Sequence, residues 1–237
     1  MRRQPAIRQS KVPYLPEKRI ERQAQLLLDE WAQDHAPITE PPVPIDEILE
    51  LHLGLDFAIA DLQGQFGQPD VLGAIWFGDR MIKVDQSLDP AGRPKMLGRY
   101  RFTLAHEVGH WRLHHQHLKE DPTAQSLFEA GCAPAFVQRS SVNPPEEVQA
   151  NAFAACVLMP RQLILDAWAR WRGTDAAVAI SDLPIGDDYD DPKVNEAMAM
   201  ERFCKPLAEQ FEVSAQAMRY RLQRLGLLAR QVQHGLF

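Results

Sequence analysis

Cysteine is scarce in this chain. Cys132, Cys156 and Cys204 are its only three thiols, they lie far apart, and no CxxC pair occurs. An odd, scattered set excludes a disulfide framework and a thiolate zinc site, and buried reduced thiols are expected. Long apolar runs are missing too. Nothing approaches the roughly eighteen residues of a membrane-spanning helix. The opening stretch MRRQPAIRQSKVPYLP is basic but lacks an apolar h-region, so no secretory signal is expected. A reducing cytoplasm is therefore the expected compartment, with no membrane partner. Excess positive charge is also absent. A net charge of −6 and a pI near 5.8 argue against a chain built mainly to coat nucleic acid. There is no internal repeat and no low-complexity tract.

What is present suits a folded domain. The 237 residues are 45% hydrophobic, enough for a sizeable core. Charge is unevenly spread: residues 1–22 carry seven Arg/Lys against two Glu, and residues 182–191 carry five Asp and no base. Residues 1–16 read as a flexible basic arm. A helix is predicted over 17–32, with Ile20, Ala24, Leu27, Leu28 and Trp31 on one face. The Pro-rich stretch 37–44 follows, then a short helix from Pro44 to Leu53 stopped by Gly54. Residues 55–60 read as a strand, DLQGQFGQPD as a loop, and GAIWFG with RMIKVD as a hairpin turning at Gly78-Asp79. Helices are predicted from about Pro94 to His115, from Pro144 to Pro160, and over 160–172. Residues 173–192 read as an acidic mobile loop, and helices near 193–210 and 215–225 close the chain. The domain plan is thus 17–172 for the main domain and 193–237 for a helical C-terminal segment.

The sharpest feature is HEVGH at 106–110, inside the predicted helix RYRFTLAHEVGHWRLHH. Positions i and i+4 share one face, so His106 and His110 can hold one ion. Glu107 lies about 100° round the helix, placed to act on water without ligating. Gly109 weakens the helix by about 1 kcal/mol relative to Ala, which a close backbone or substrate approach would explain. The motif alone is only moderately specific, so the third ligand decides. The metzincin pattern needs Gly at 113 and His at 116, where this chain has Leu113 and Gln116. The thermolysin-like pattern takes a Glu from a later helix, and NPPEEVQANAFAACVLMP supplies one. Asn143 is the expected N-cap, Pro144 the first helical residue and Glu146 a capping partner. Glu147 and Asn151 then share a face, one as ligand and the other holding a ligand imidazole in its tautomer. Glu146 points away from that face, while Glu120 and Glu129 lie between the helices without a partner at the right spacing.

RFTLAHEVGH followed by EVQANAFAACVLMP resembles the ImmA/IrrE metallopeptidase family, whose pattern is RFTLAHExGH and then ExxAN-x-FAAxLLMP. The likeness spans about residues 17–170, and Gln149 stands where an acidic residue is common. The resemblance implies an α+β, zincin-like core: a small sheet packed on the HExxH helix and a second ligand-bearing helix. It implies one Zn²⁺ per chain held by His106, His110 and Glu147, with Glu107 as general base. It also implies a cytoplasmic, site-specific endopeptidase that cleaves a helix-turn-helix repressor, one expected to be encoded nearby. His114, one turn past His110, is a candidate oxyanion or substrate group, against the plainer reading of a structural histidine. His115 and His117 are expected to face solvent. RMIKVD would pair with an extended substrate if it lay at a sheet edge.

The segment LAEQFEVSAQAMRYRLQRLGLL looks like a helix-turn-helix, with Ser214 capping its second helix. Arg219, Arg221 and Arg224 are candidates for meeting phosphates, base edges or substrate. Packing on the main domain is the plainer reading, and the acidic total favours it. The alternative to an enzyme is a DNA- or protein-binding regulator with a structural zinc site. An intact Glu107 favours the enzyme, since a structural site has no need of that carboxylate.

Overall fold

The computed structural model describes residues 12–141 and 144–230. Helix α1 (Glu17–Asp34) buries the predicted face of Ile20, Ala24, Leu27, Leu28 and Trp31. Helix α2 (Ile45–Glu47) starts after Pro44 and widens into a π-turn over Ile48–His52. The chain reverses at Gly54, whose φ of +58° suits glycine. Strand β1 (Asp56–Ala60) follows. The segment expected as a plain loop contains a helical turn, α3 (Leu62–Phe66). The carboxylate of Asp85 accepts from the Leu62 and Gln63 amides at 3.0 Å each, and Asp61 accepts from Gly64. Side-chain capping from a distant strand thus stabilises a turn that local pattern does not reveal.

Strands β2 (Val71–Trp76) and β3 (Met81–Asp85) form the expected antiparallel hairpin. Strand β4 (Phe136–Arg139) lies beyond the long helix α4 (Leu97–Glu120). The sheet order is β1-β3-β2-β4, with β1 parallel to β3 and the other pairs antiparallel. Strand β3 is therefore internal, so RMIKVD makes ordinary sheet pairings and the condition for pairing with an extended substrate is not met. Among the described residues, β1 and β4 are the edge strands of this sheet.

Helices α5 (Pro145–Leu158) and α6 (Arg161–Arg172) follow. The N-cap of α5 is Pro144, and Pro145 rather than Pro144 is its first residue; Asn143 lies outside the described residues. α5 is buried nearly all round because it packs against α4 on one side and α1 on the other. Among the described residues no single helix is long and apolar enough to cross a membrane. Helices α5 and α6 reach that length and apolarity only together, they are bent by 52° at their junction, and their apolar surface belongs to this core.

Residues 173–192 are more anchored than a mobile loop. Strand β5 (Val178–Ala179) pairs in parallel with β6 (Leu228–Ala229), Ile180 and Leu183 are buried, and the Trp168 indole donates to the Ala176 carbonyl at 3.1 Å. Helices α7 (Pro192–Gln210) and α8 (Ala215–Arg224) come last, and Ser214 caps α8 by accepting from Ala217. One contiguous apolar core runs from Ile20 in α1 to Leu228 in β6. The C-terminal helices share it. A Cβ on Gly98, in the first turn of α4, would come within 2.7 Å of the Val213 backbone in the α7–α8 turn.

Candidate metal centre

Helix α4 meets α5 at a glycine. A Cβ on Gly109 would lie 3.2 Å from the Ala150 backbone and from Phe153. The close backbone approach expected of this residue is thus the crossing of the two helices. It brings the first turn of α5 level with His106 and His110. The His106 Nε2 lies 3.0 Å from one Glu147 oxygen, the His110 Nε2 lies 3.2 Å from the other, and the two Nε2 atoms are 3.0 Å apart. Among the described residues these three offer one ligand atom each within 4.8 Å of one another, and all are buried. Glu120 and Glu129 are exposed and stand outside the cluster, as does Glu146.

The donor set can be tested against a metal from its hydrogen bonds. The His106 Nδ1 donates to the Asn151 Oδ1 at 2.9 Å, leaving the Nε2 lone pair bare toward Glu147. Two ring nitrogens and a carboxylate then converge in a buried space, where lone pairs repel unless a proton or a cation sits between them. Two imidazoles and a carboxylate are ligands that suit zinc. The residues present therefore fit a divalent metal, with His106, His110 and Glu147 the side chains that could hold it. The ring of Phe136, on β4, stacks on His110 with centroids 4.0 Å apart and 14° between planes, which restricts how that imidazole can turn.

Electrostatics separate the two glutamates. Burial works against ionisation of Glu147, but hydrogen bonds from His106 and His110 overcome it and hold its carboxyl well below the ordinary range. Burial pushes Glu107 well above its ordinary value, and the nearby Glu147 charge adds to the effect. Among the described residues neither oxygen of Glu107 has a hydrogen-bond partner. Burial lowers His110 to about 4, so it is a neutral, ligand-competent imidazole at neutral pH.

Two residues of this site were missed by the sequence reading. Gly73, in β2, leaves room for Glu107: a Cβ there would sit 2.7 Å from the Glu107 Oε1 and from the Thr103 methyl. Its register partner on β4 is Gln138, only 7% exposed, whose Oε1 is also unpartnered and lies 3.5 Å from that same Cβ position. A glycine inside an apolar strand was the available signal for the first. Nothing local marks the second, because β4 is four residues long and its pairing is distant in sequence.

Other expectations need correction. His114 is fully buried, its Nδ1 is 3.0 Å from the His110 Nδ1, and its Nε2 is 3.4 Å from the Gln149 Oε1. Both nitrogens are engaged behind His110, so neither is left for an oxyanion or a substrate. His115 is packed against Trp111, Phe77 and Phe128 instead of facing solvent. The arginines of α8 turn inward. Arg221 is 2% exposed and donates to the Met159 carbonyl and to Glu21, and Arg219 is 9% exposed beside Glu201. Arg224 is half-exposed but pairs with Glu17 at 3.2 Å. Internal partners already use the charges that a phosphate would need, so the reading of Arg219 and Arg221 as nucleic-acid contacts does not hold.

An HExxH helix, a Glu from the next long helix and a small sheet beside both define a metallopeptidase class of site on a zincin-like α+β frame. The comparison with family models agrees: the peptidase M78 model, described as the IrrE N-terminal-like domain, matches residues 93–223. That is more than half of the 237 residues, and the chain belongs to this family. The match begins later and ends later than the 17–170 likeness, taking in all of α7 and nearly all of α8. No curated protein matches the chain.

Proposed function

We propose that this chain is a zinc-dependent endopeptidase acting in a reducing compartment, and that its substrate is a helix-turn-helix repressor. The observation that carries the enzymatic reading is Glu107. A carboxyl group fully buried beside a metal-ligand set, with neither oxygen partnered among the described residues, is costly to keep. A structural metal site would gain nothing from it.

When bound, a divalent metal supplies Lewis-acid polarisation of the scissile carbonyl and makes water more acidic. The chain's own residues do the rest. Glu107, with its raised proton affinity, takes the proton of the attacking water and passes it to the leaving nitrogen. Asn151 holds the His106 ring, and Phe136 limits rotation of His110. Gln138 offers an amide beside Glu107, placed to orient water or the substrate carbonyl. The outer edge of β4 suits an extended peptide that adds as a further strand. Free thiols at all three cysteines fit the compartment.

The repressor rests on the family likeness and is tested directly. The zinc-loaded protein is mixed with a helix-turn-helix repressor encoded beside it. One discrete cut is expected, lost with a chelator and in Glu107→Gln. A fragment that persists in Glu107→Gln would overturn the assignment of the base. A repressor left whole by an enzyme that cuts other peptides would overturn the substrate alone.

A further inference from the structure

The hydrogen bonds behind His110 form a chain with a fixed direction. The Gln149 Nε2 donates to the Pro13 carbonyl at 3.1 Å. A carbonyl oxygen only accepts, so the amide nitrogen must be the atom facing it. The Gln149 Oε1 then faces the His114 Nε2 at 3.4 Å, and an amide oxygen also only accepts, so that ring nitrogen carries the hydrogen. A neutral imidazole has one N–H. The His114 Nδ1 is therefore bare, and it accepts from the His110 Nδ1 at 3.0 Å. That leaves the His110 Nε2 bare, turned toward Glu147 and toward the His106 Nε2. His114 is fully buried and its two nitrogens face a ring nitrogen and an amide oxygen, neither of which would favour a second proton.

We infer that His114 and Gln149 are positioning residues: with the Pro13 carbonyl they hold His110 in its metal-binding tautomer and tie the N-terminal segment to the metal centre. The two imidazole ligands are thus held differently. His106 relies on one side chain, Asn151. His110 relies on a three-membered relay that ends on the main chain 136 residues from Gln149 in sequence. Val12 and Leu15 flank that carbonyl and pack half-buried on the core, so the end of the relay is seated on the protein. The stretch expected as a loose arm is, over residues 12–16, part of the site's support. Gln149 gains a reason to be an amide: it donates at one end and accepts at the other, whereas a carboxylate would accept at both.

This inference rests on the proposed metal site, and its test keeps the two apart. Gln149→Leu preserves volume but gives His114 no acceptor. Gln149→Glu preserves the acceptor but gives Pro13 no donor. Zinc affinity is measured by competition with a chromophoric chelator. The His110 tautomer is read in the metal-free protein from the ¹⁵N shifts of its ring, and exchange of the Val12, Tyr14 and Leu15 amides is followed alongside. Gln149→Leu should bind zinc roughly 10–100-fold more weakly, with His110 shifting to mixed tautomers. Gln149→Glu should keep wild-type zinc affinity and tautomer. Both variants should exchange faster over residues 12–16. Wild-type affinity and an unchanged His110 tautomer in Gln149→Leu would overturn the relay. A wild-type protein that binds no zinc would overturn the metal reading, while the tautomer in the metal-free chain would still decide the relay.

Discussion

The two halves of α4 are built alike and used differently. Each half makes one glycine contact with a neighbouring backbone, Gly98 on the α7–α8 turn and Gly109 on α5. Each buries charged or polar side chains beside that contact. In the first half, Arg101 donates to the Val43 carbonyl at 2.5 Å and lies 3.4 Å from Glu212, with Asp46 close enough to feel its charge. Positive and negative groups there partly offset one another, although among the described residues the Asp46 Oδ1 and the Arg101 Nε have no hydrogen-bond partner. In the second half, His106, His110 and Glu147 present lone pairs to a common point, and Glu107 stands beside them with no hydrogen-bond partner among the described residues. A cluster of opposite charges anchors. A cluster whose members all direct lone pairs at one point, with a further carboxylate alongside, is arranged for chemistry.

Breaking the second half should have the largest effect. Glu107→Gln is expected to lower turnover about 10²–10⁴-fold while the zinc content stays at one per chain. Metal content by elemental analysis and single-turnover cleavage check it; loss of zinc together with activity would place Glu107 among the ligands instead. A smaller loss is expected from Gly73→Ala, because the new methyl occupies the space of the Glu107 carboxylate. Displacing a reacting group by about 1 Å costs on the order of 10²-fold. Zinc affinity should hold, since no ligand is touched. Unchanged turnover would mean that Glu107 reacts from some other position than the one it occupies beside β2.

Much of this contrast was legible in the sequence, and the limits are physical. HEVGH and the EVQAN segment carry local, periodic information: a ligand spacing of four on one helix and a Glu–Asn spacing of four on the next. Those spacings suffice to bring the three groups together once Gly109 allows the helices to touch. What was not legible depends on pairings across the fold. Gln138 acquires meaning only through its register with Gly73. Asp85 caps a turn more than twenty residues away. The arginines of α8 left nucleic-acid contact open beside the favoured reading of internal packing, because helical periodicity gives sides without saying which neighbour covers them. Glu21, Glu201 and Glu17 cover them here.

The anchoring half predicts smaller changes of a different kind. Arg101→Met should reduce unfolding free energy by about 1.5–3 kcal/mol, the range for hydrogen bonds to charged groups, and Glu212, more than a third exposed, places the value toward the lower end. Turnover per folded molecule should not change. Urea unfolding and active-site titration separate the two quantities, and a fall in turnover among folded molecules would mean that the halves are coupled.

The smallest effect probes the charge balance at Arg101 itself. Burial raises the Asp46 carboxyl above its ordinary 3.8, Arg101 only partly opposes this, and Glu50, Glu212 and Glu47 add to it. One of its oxygens has no hydrogen-bond partner. A raised value in the folded state means the protonated form is favoured there. The corresponding stability is fully present below 3.8 and is lost as pH rises through the folded value. At neutral pH the fold therefore carries an ionised Asp46 against a net penalty, and Asp46→Asn should be the more stable protein. The gap should close as pH falls below 3.8, where the side chain is protonated in the folded and the unfolded chain alike. Urea midpoints for both proteins across that range measure it. If Asp46→Asn were less stable at neutral pH, Arg101 would need this carboxylate as well as Glu212, and the anchoring half would be a tighter ion cluster than its geometry indicates. If the gap were flat with pH, the substitution would act through the orphaned oxygen alone, and charge would not be what distinguishes the two ends of the helix.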